Sequence, residues 1–241
     1  MSEPREFLAR RLRVRQELGE REVWLETMTE AGALSALAAG GKGGEAAGPE
    51  GDEIVTIGDL DRLAKVASTC TRCRLAEGRT KVVFGEGSPR AALLVVGEGP
   101  GADEDRTGRP FVGRAGKMLD LLLGSAGFER EEVYICNVVK CRPPQNRNPR
   151  PDEVKSCNPY LRKQLELVAP KVILALGTFA AHTLMQSDAP ISRLRDRTHD
   201  RAGVPLIASY HPAALLRNPG WVRLAWEDLQ RARQLVDELT S

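Results

Sequence analysis

Three groups of residues in this chain are spaced for chemistry. The first is its five cysteines: the close pair Cys70-Thr71-Arg72-Cys73, then Cys136, Cys141 and Cys157. Four thiolates suffice for a zinc ion or for an iron–sulfur cluster. Zinc is best served by a second close pair, which Cys141 and Cys157 do not make, and on spacing alone the two metals stay comparable. A thioredoxin-like redox use of Cys70 and Cys73 fits poorly, because that pair follows an expected helix instead of joining a strand to a helix. Cys136 sits inside an apolar run and reads as a small buried hydrophobe. The second group is polar residues set at the ends of apolar runs. Glu98 lies in Gly97-Glu98-Gly99-Pro100-Gly101, Asn137 in Val133–Val139, and His211 just after Pro205–Tyr210. A carboxylate, an amide and an imidazole supply charge stabilisation, hydrogen-bond reading and a proton donor. The third is the segment 140–150, with Lys140, Arg142, Arg147 and Arg150, several prolines and no acid. Four cations there suit phosphates.

Elements must carry these residues. The chain has 241 residues, 41% hydrophobic and 28% charged, which is ordinary globular composition and excludes collagenous, mucin-like or wholly disordered classes. The apolar run Ala91–Val96 is too short to span a bilayer. The Arg/Glu-rich N-terminus lacks an apolar signal region, so a cytoplasmic protein with no membrane partner is expected. The formal charge of +2 hides an asymmetry: residues 1–53 hold 7 basic and 11 acidic residues, net −4, and 54–241 hold 28 and 22, net +6. Residues 1–30 read as an amphipathic helical extension, by the spacing of Leu8, Leu12, Leu18 and Trp24. It is expected to pack on the body or on a protein partner. Residues 31–55 read as a flexible Ala/Gly-rich linker, and 56–241 as the folded domain. From Ile57 on, strands alternate with helices. Strands are expected at 91–96, 133–139, 172–176 and 205–210, and helices at 59–68, 114–126, 151–168, 177–185 and 221–239. That alternation implies a parallel sheet covered on both faces. Such sheets bind ligands beyond the carboxyl ends of their strands, where Glu98, Asn137 and His211 stand.

Taken in order, the motifs resemble one known family. They are Cys70-x-x-Cys73, Gly97-Glu98-Gly99-Pro100-Gly101 with Glu104-Asp105, Gly108-Arg109-Pro110-Phe111-Val112-Gly113, Asn137-Val138-Val139-Lys140-Cys141-Arg142-Pro143-Pro144, Asn146-Arg147, Cys157 and His211-Pro212-Ala213-Ala214-Leu215-Leu216. This set, over roughly residues 60–240, resembles the iron–sulfur (family 4) uracil-DNA glycosylases. The resemblance implies an α/β fold, a three-layer α/β/α sandwich with a central four-stranded parallel sheet. It implies removal of uracil from DNA and a [4Fe–4S] cluster held by Cys70, Cys73, Cys141 and Cys157, with Cys136 matching no ligand.

Base release from DNA starts by flipping the base into a pocket. Phe111 is then expected to stack the uracil, and Asn137 to read its O4 and N3–H edge. His211 would donate to the charge developing on O2, while Glu98 would stabilise the sugar cation or orient water. Gly97 and Gly99 let backbone approach the base. Cluster-free relatives exclude thymine with a Tyr where this chain has Gly101, so Glu104, or Asp105 beside it, is expected to take that role. Lys140, Arg142, Arg147 and Arg217 are expected on DNA phosphates. Leu215 and Leu216 are expected to wedge into the duplex. No lysine is evidently placed for Schiff-base chemistry, so a monofunctional, monomeric enzyme is expected. The alternative from another class is a non-catalytic iron–sulfur DNA-binding module. A uracil-DNA-trapping relative is disfavoured, because 141–151 contains no His.

Overall fold

The computed structural model describes residues 51–241. The expected helical extension and all but the last five residues of the expected linker lie outside the described residues. Four parallel strands form the centre: β2 (Leu93–Gly97), β3 (Tyr134–Asn137), β4 (Val172–Leu176) and β6 (Val204–Ser209). Two short antiparallel strands, β1 (Glu86–Gly87) and β5 (His199–Arg201), extend the edges, giving the order β1-β3-β2-β4-β6-β5. The parallel centre is the expected one. The edge strands are too short and too polar to show as apolar runs.

Alternation along the strands sorts the core into two layers. Leu93 and Val95 of β2 face one way, with Ile135, Leu174 and Ile207. They meet Leu119, Leu122 and Leu123 of α5 (Arg114–Ser125) and Leu229, Ala232 and Val236 of α10 (Val222–Thr240). Leu94 and Val96 face the other way, with Cys136, Ile173 and Ala208. They meet Leu161 and Val168 of α6 (Pro151–Val168) and Ala180, Ala181 and Leu184 of α7 (Gly177–Met185). Since both faces of the parallel strands are buried, they read in sequence as continuous apolar runs.

A third cluster joins the N-terminal helices to α6. Ile54, Ile57, Leu63, Ala67 and Tyr160 are buried together. Helix α1 (Gly51–Thr56) falls where the sequence reads as linker, yet Lys163 Nζ on α6 donates to Val55 O at 2.8 Å. The domain boundary therefore moves back from 56 to at least 51. In α2 (Leu60–Ser68), Asp59 caps the first turn by accepting from Arg62 N at 2.7 Å. Four more short helices, α3 (Leu75–Gly78), α4 (Ala102–Thr107), α8 (Ile191–Leu194) and α9 (Pro212–Arg217), lie in the connections. Among the described residues no helix is long and apolar enough to cross a membrane.

Candidate active site

A cleft of about 400 Å³ opens beyond the carboxyl ends of β2, β3 and β6. Glu98, Gly99, Glu104, Phe111, Asn137, His211 and Arg217 line it, together with Asn146 and Arg147. Residues 113 positions apart in sequence thus share one wall, because the parallel sheet ends its strands on one side.

Asn137 closes β3 and is only 2% exposed. Its Oδ1 is buried without a hydrogen-bond partner. A buried unpaired acceptor costs roughly 1–3 kcal/mol, so this atom is built to receive a donor from outside the protein. Gly97 explains how Asn137 and Phe111 come together. A Cβ at residue 97 would lie 2.4 Å from Asn137 Oδ1 and 2.5 Å from Phe111 Cζ. The space that the missing side chain leaves is the space between amide and ring.

Phe111 is 6% exposed and has a left-handed backbone, φ 50°. The sequence reads it as an exposed loop residue; instead it is both core and cleft wall. A non-glycine residue in that region is strained by roughly 1–3 kcal/mol and must be held from outside. Glu104 does so from one side. Its Oε1 accepts from Val112 N and Gly113 N, both at 2.9 Å, and its Oε2 accepts from Gly101 N at 3.1 Å. Arg130 Nη2 holds the other side by donating to Pro110 O at 2.7 Å, and also to Glu86, which pairs with Arg109 as well. Gly116 of α5 lets the loop lie flat, since a Cβ there would sit 1.9 Å from Phe111 O. Neither Arg130, Glu86 nor Gly116 has a sequence signal; they are found only by the contacts. Asp105 faces away from the cleft and accepts from Thr80 N at 2.9 Å.

His211 stands between β6 and α9, its ring centroid 5.6 Å from that of Phe111. Its Nδ1 accepts from Ala213 N at 3.1 Å, which places the proton of a neutral ring on Nε2. Burial lowers its pKa to about 4, with Arg217 adding to the effect and Glu104 opposing it. The neutral form, which sequence leaves open, is therefore the one present near neutrality. Burial alone pushes the Glu98 carboxyl up from its ordinary value.

Two expected DNA contacts are corrected. Lys140 is 2% exposed; its Nζ donates to Asn137 O at 2.7 Å and to Gln164 Oε1, so it braces the base of the cleft and cannot reach a phosphate. Leu215 is buried in the core around Leu119 and Leu122, which rules out a wedge. Leu216 is at the surface, 36% exposed. Arg147 makes a bidentate pair with the buried Glu153, at 2.8 and 2.6 Å, and still lines the cleft. Arg142 Nε donates to Asn146 Oδ1 at 2.8 Å, and Arg217 is exposed.

Behind this cleft, Cys70, Cys73, Cys141 and Cys157 line a single small cavity with Arg72, Arg79, Lys140 and Tyr160. Arg79 Nη1 donates to Cys141 Sγ at 3.4 Å, and Lys140 N donates to Cys157 Sγ at 3.3 Å. Cys136 is fully buried in β3, away from that cavity. Among the described residues no three His, Cys, Asp or Glu side chains form a group able to hold a metal ion.

The comparisons with known proteins agree with this arrangement. The family model described as Uracil DNA glycosylase superfamily matches residues 84–230. The type-4 uracil-DNA glycosylase of Thermotoga maritima is 46% identical over 181 residues, covering 73% of this chain and 94% of that protein. This chain belongs to the type-4 uracil-DNA glycosylases. The type-4 enzymes of Archaeoglobus fulgidus (46% over 168 residues, 66% of this chain, 84% of that protein) and Sulfurisphaera tokodaii (38% over 186 residues, 73% and 84%) are similar over the same body. The superfamily match spans the cleft from Glu98 to Arg217 and includes two of the four clustered thiols, Cys141 and Cys157.

Proposed function

We propose that this protein hydrolyses the N-glycosidic bond of uracil in DNA, releasing the base and leaving an abasic site. The observation that carries the reading is Asn137 Oδ1, buried and unpaired on the wall of a cleft that also holds an aromatic ring, a neutral imidazole and a carboxylate. Uracil N3–H is the donor that this oxygen lacks, and the Asn137 amide can donate to O4. Cytosine presents the opposite polarity, and a mismatched buried pair is strongly rejected. Phe111 stacks the flipped base. His211 donates from Nε2 to O2 as the leaving uracil gains negative charge; a neutral donor fixed in place serves as an oxyanion hole does. Glu98, ionised, faces the sugar as it becomes cationic and orients water. Glu104, held by three backbone amides, fixes the wall against which a C5 methyl would press. Arg142, Arg217 and Leu216 are the groups that meet the DNA, Arg142 with its Nε on Asn146, while Arg147 is committed to Glu153.

The cysteine cavity supports a [4Fe–4S] cluster on Cys70, Cys73, Cys141 and Cys157. The donor set is all thiol, and N–H groups already point at two of the sulfurs, as around iron–sulfur clusters. When bound, the cluster supplies a covalent tie between the segment 70–73, the loop after β3 and α6.

The test is a single-uracil oligonucleotide incubated with the full chain and then treated with alkali. Cleavage at the uracil is expected. Absence of product at any enzyme excess overturns the reading and favours a non-catalytic DNA-binding module. Iron and acid-labile sulfide bound to the purified chain test the cluster, and a colourless zinc protein would refute it.

A further inference from the structure

Three cations line the cysteine cavity: Arg72, Arg79 and Lys140. None of them pairs with a carboxylate among the described residues. Arg79 Nη1 is spent on Cys70 O at 2.6 Å and Cys141 Sγ. Lys140 Nζ is spent on Asn137 O and Gln164 Oε1, both uncharged. Arg72 Nη1 is buried with no partner at all. Asp152 and Glu153 act on Cys73, and Glu153 is already bound to Arg147. Lys140 is buried and Arg72 and Arg79 are half-buried, and cations drawn out of water are normally paired, since an uncompensated one is costly. Three around one cavity, with no carboxylate to match, point to an anion that belongs in the cavity.

We infer that Arg72, Arg79 and Lys140 form a cationic cage that balances the negative charge of the four-thiolate cluster and sets its redox poise. The inference rests on the cluster proposed above. Four thiolates around an oxidised cube carry net negative charge, and one-electron reduction adds to it. Fixed positive charge nearby favours the reduced state, so removing one cation makes reduction harder. Arg72 is the residue to change, because its Nη1 holds no backbone or sulfur group. Arg79 ties Cys70 and Lys140 ties Asn137, so their loss would also disturb the fold or the cleft.

The experiment compares the full-length wild type with Arg72→Gln and Arg72→Lys. Iron and sulfide per chain are measured first, and then the midpoint potential, by a reductive titration with dithionite followed by electron paramagnetic resonance. A wild type that holds zinc fails at the first step, and this ends the cluster reading before any variant is considered. With the cluster present, Arg72→Gln is expected to shift the reduction equilibrium at least tenfold toward the oxidised form, about 59 mV for one electron, while Arg72→Lys stays close to wild type. Failure of Arg72→Gln to load while Arg72→Lys loads supports the same reading, because charge is what separates the two. A loaded Arg72→Gln with an unmoved potential overturns the cage. So does failure of both variants to load, which would make Arg72 a matter of shape and not of charge.

Discussion

His211 and Glu98 have opposite displacements from one cause. Burial disfavours charge, so it lowers the imidazole, to about 4, and raises the carboxyl. A histidine at about 4 is neutral across the working range, whereas an ordinary one titrates near ~6.5. The rate of uracil release is therefore expected to climb with pH as Glu98 loses its proton, at a pH above the ordinary carboxylate value of ~4.3, and to stay flat through the ordinary histidine range. A single-turnover pH profile checks this, and a fall in rate centred near ~6.5 would show that the cationic ring is the active form. Replacing His211 by Ala removes the donor to O2. It is expected to slow release by roughly 10²–10³-fold, as for other oxyanion donors, with DNA binding measured by anisotropy nearly unchanged. An equal loss in binding would mean that His211 acts on the ground state.

The loop from Gly108 to Gly113 works as an element only because its neighbours hold it. Phe111 needs a left-handed backbone, and Glu104, Arg130 and Gly116 impose it from three directions. In Glu104→Ala the amides of Val112 and Gly113 lose their acceptor. The loop should relax, uracil release should fall, and the loosened wall should admit some thymine. A folded Glu104→Ala chain with full uracil activity and no thymine release would remove Glu104 from both roles. Gly116→Ala probes the same loop from below. Its Cβ would overlap Phe111 O, so the loop or α5 must shift, at a cost of roughly 1–3 kcal/mol. Thermal melting and uracil release should drop together, and an unchanged melt would show that the loop yields freely.

Across the molecule, α10 is locked to the end of α8 by a buried charge cluster. Asp228 is fully buried and accepts from Arg195 at 3.0 Å and from Arg231 at 2.7 Å, while Arg195 Nη2 also donates to Leu224 O at 2.8 Å. Arg195 further lies over the ring of Tyr210, the residue before His211. Removing one member of a buried pair leaves the other uncompensated, at ~3–5 kcal/mol. Asp228→Ala should lower Tm by roughly 10 °C for a domain of this size. A melt within two or three degrees of wild type would show that Arg195 and Arg231 find other partners. The cysteine cavity and the cleft are likewise joined, through Lys140, whose backbone meets Cys157 and whose amine meets Asn137.

Much of this is legible in the sequence. The apolar runs at β2, β3, β4 and β6 mark a parallel sheet because both of its faces are buried. The residues directly after them are the site because such a sheet ends all its strands on one side. Cys70, Cys73, Cys141 and Cys157 stood out by type and by resemblance to a family, and so did Glu98, Asn137, Phe111 and His211. What sequence misjudged was the direction of side chains. Lys140 lies in a basic stretch and Leu215 beside an exposed leucine, and both turn inward, since burial depends on what packs from elsewhere in the chain. Helix α1 looked like linker because only Ile54 and Ile57 mark it, and the surface that covers them comes from α6, some hundred residues away. The protonation of His211, the strain at Phe111 and the unpaired oxygen of Asn137 were decided by the tertiary structure alone, because each is set by neighbours that distant segments supply.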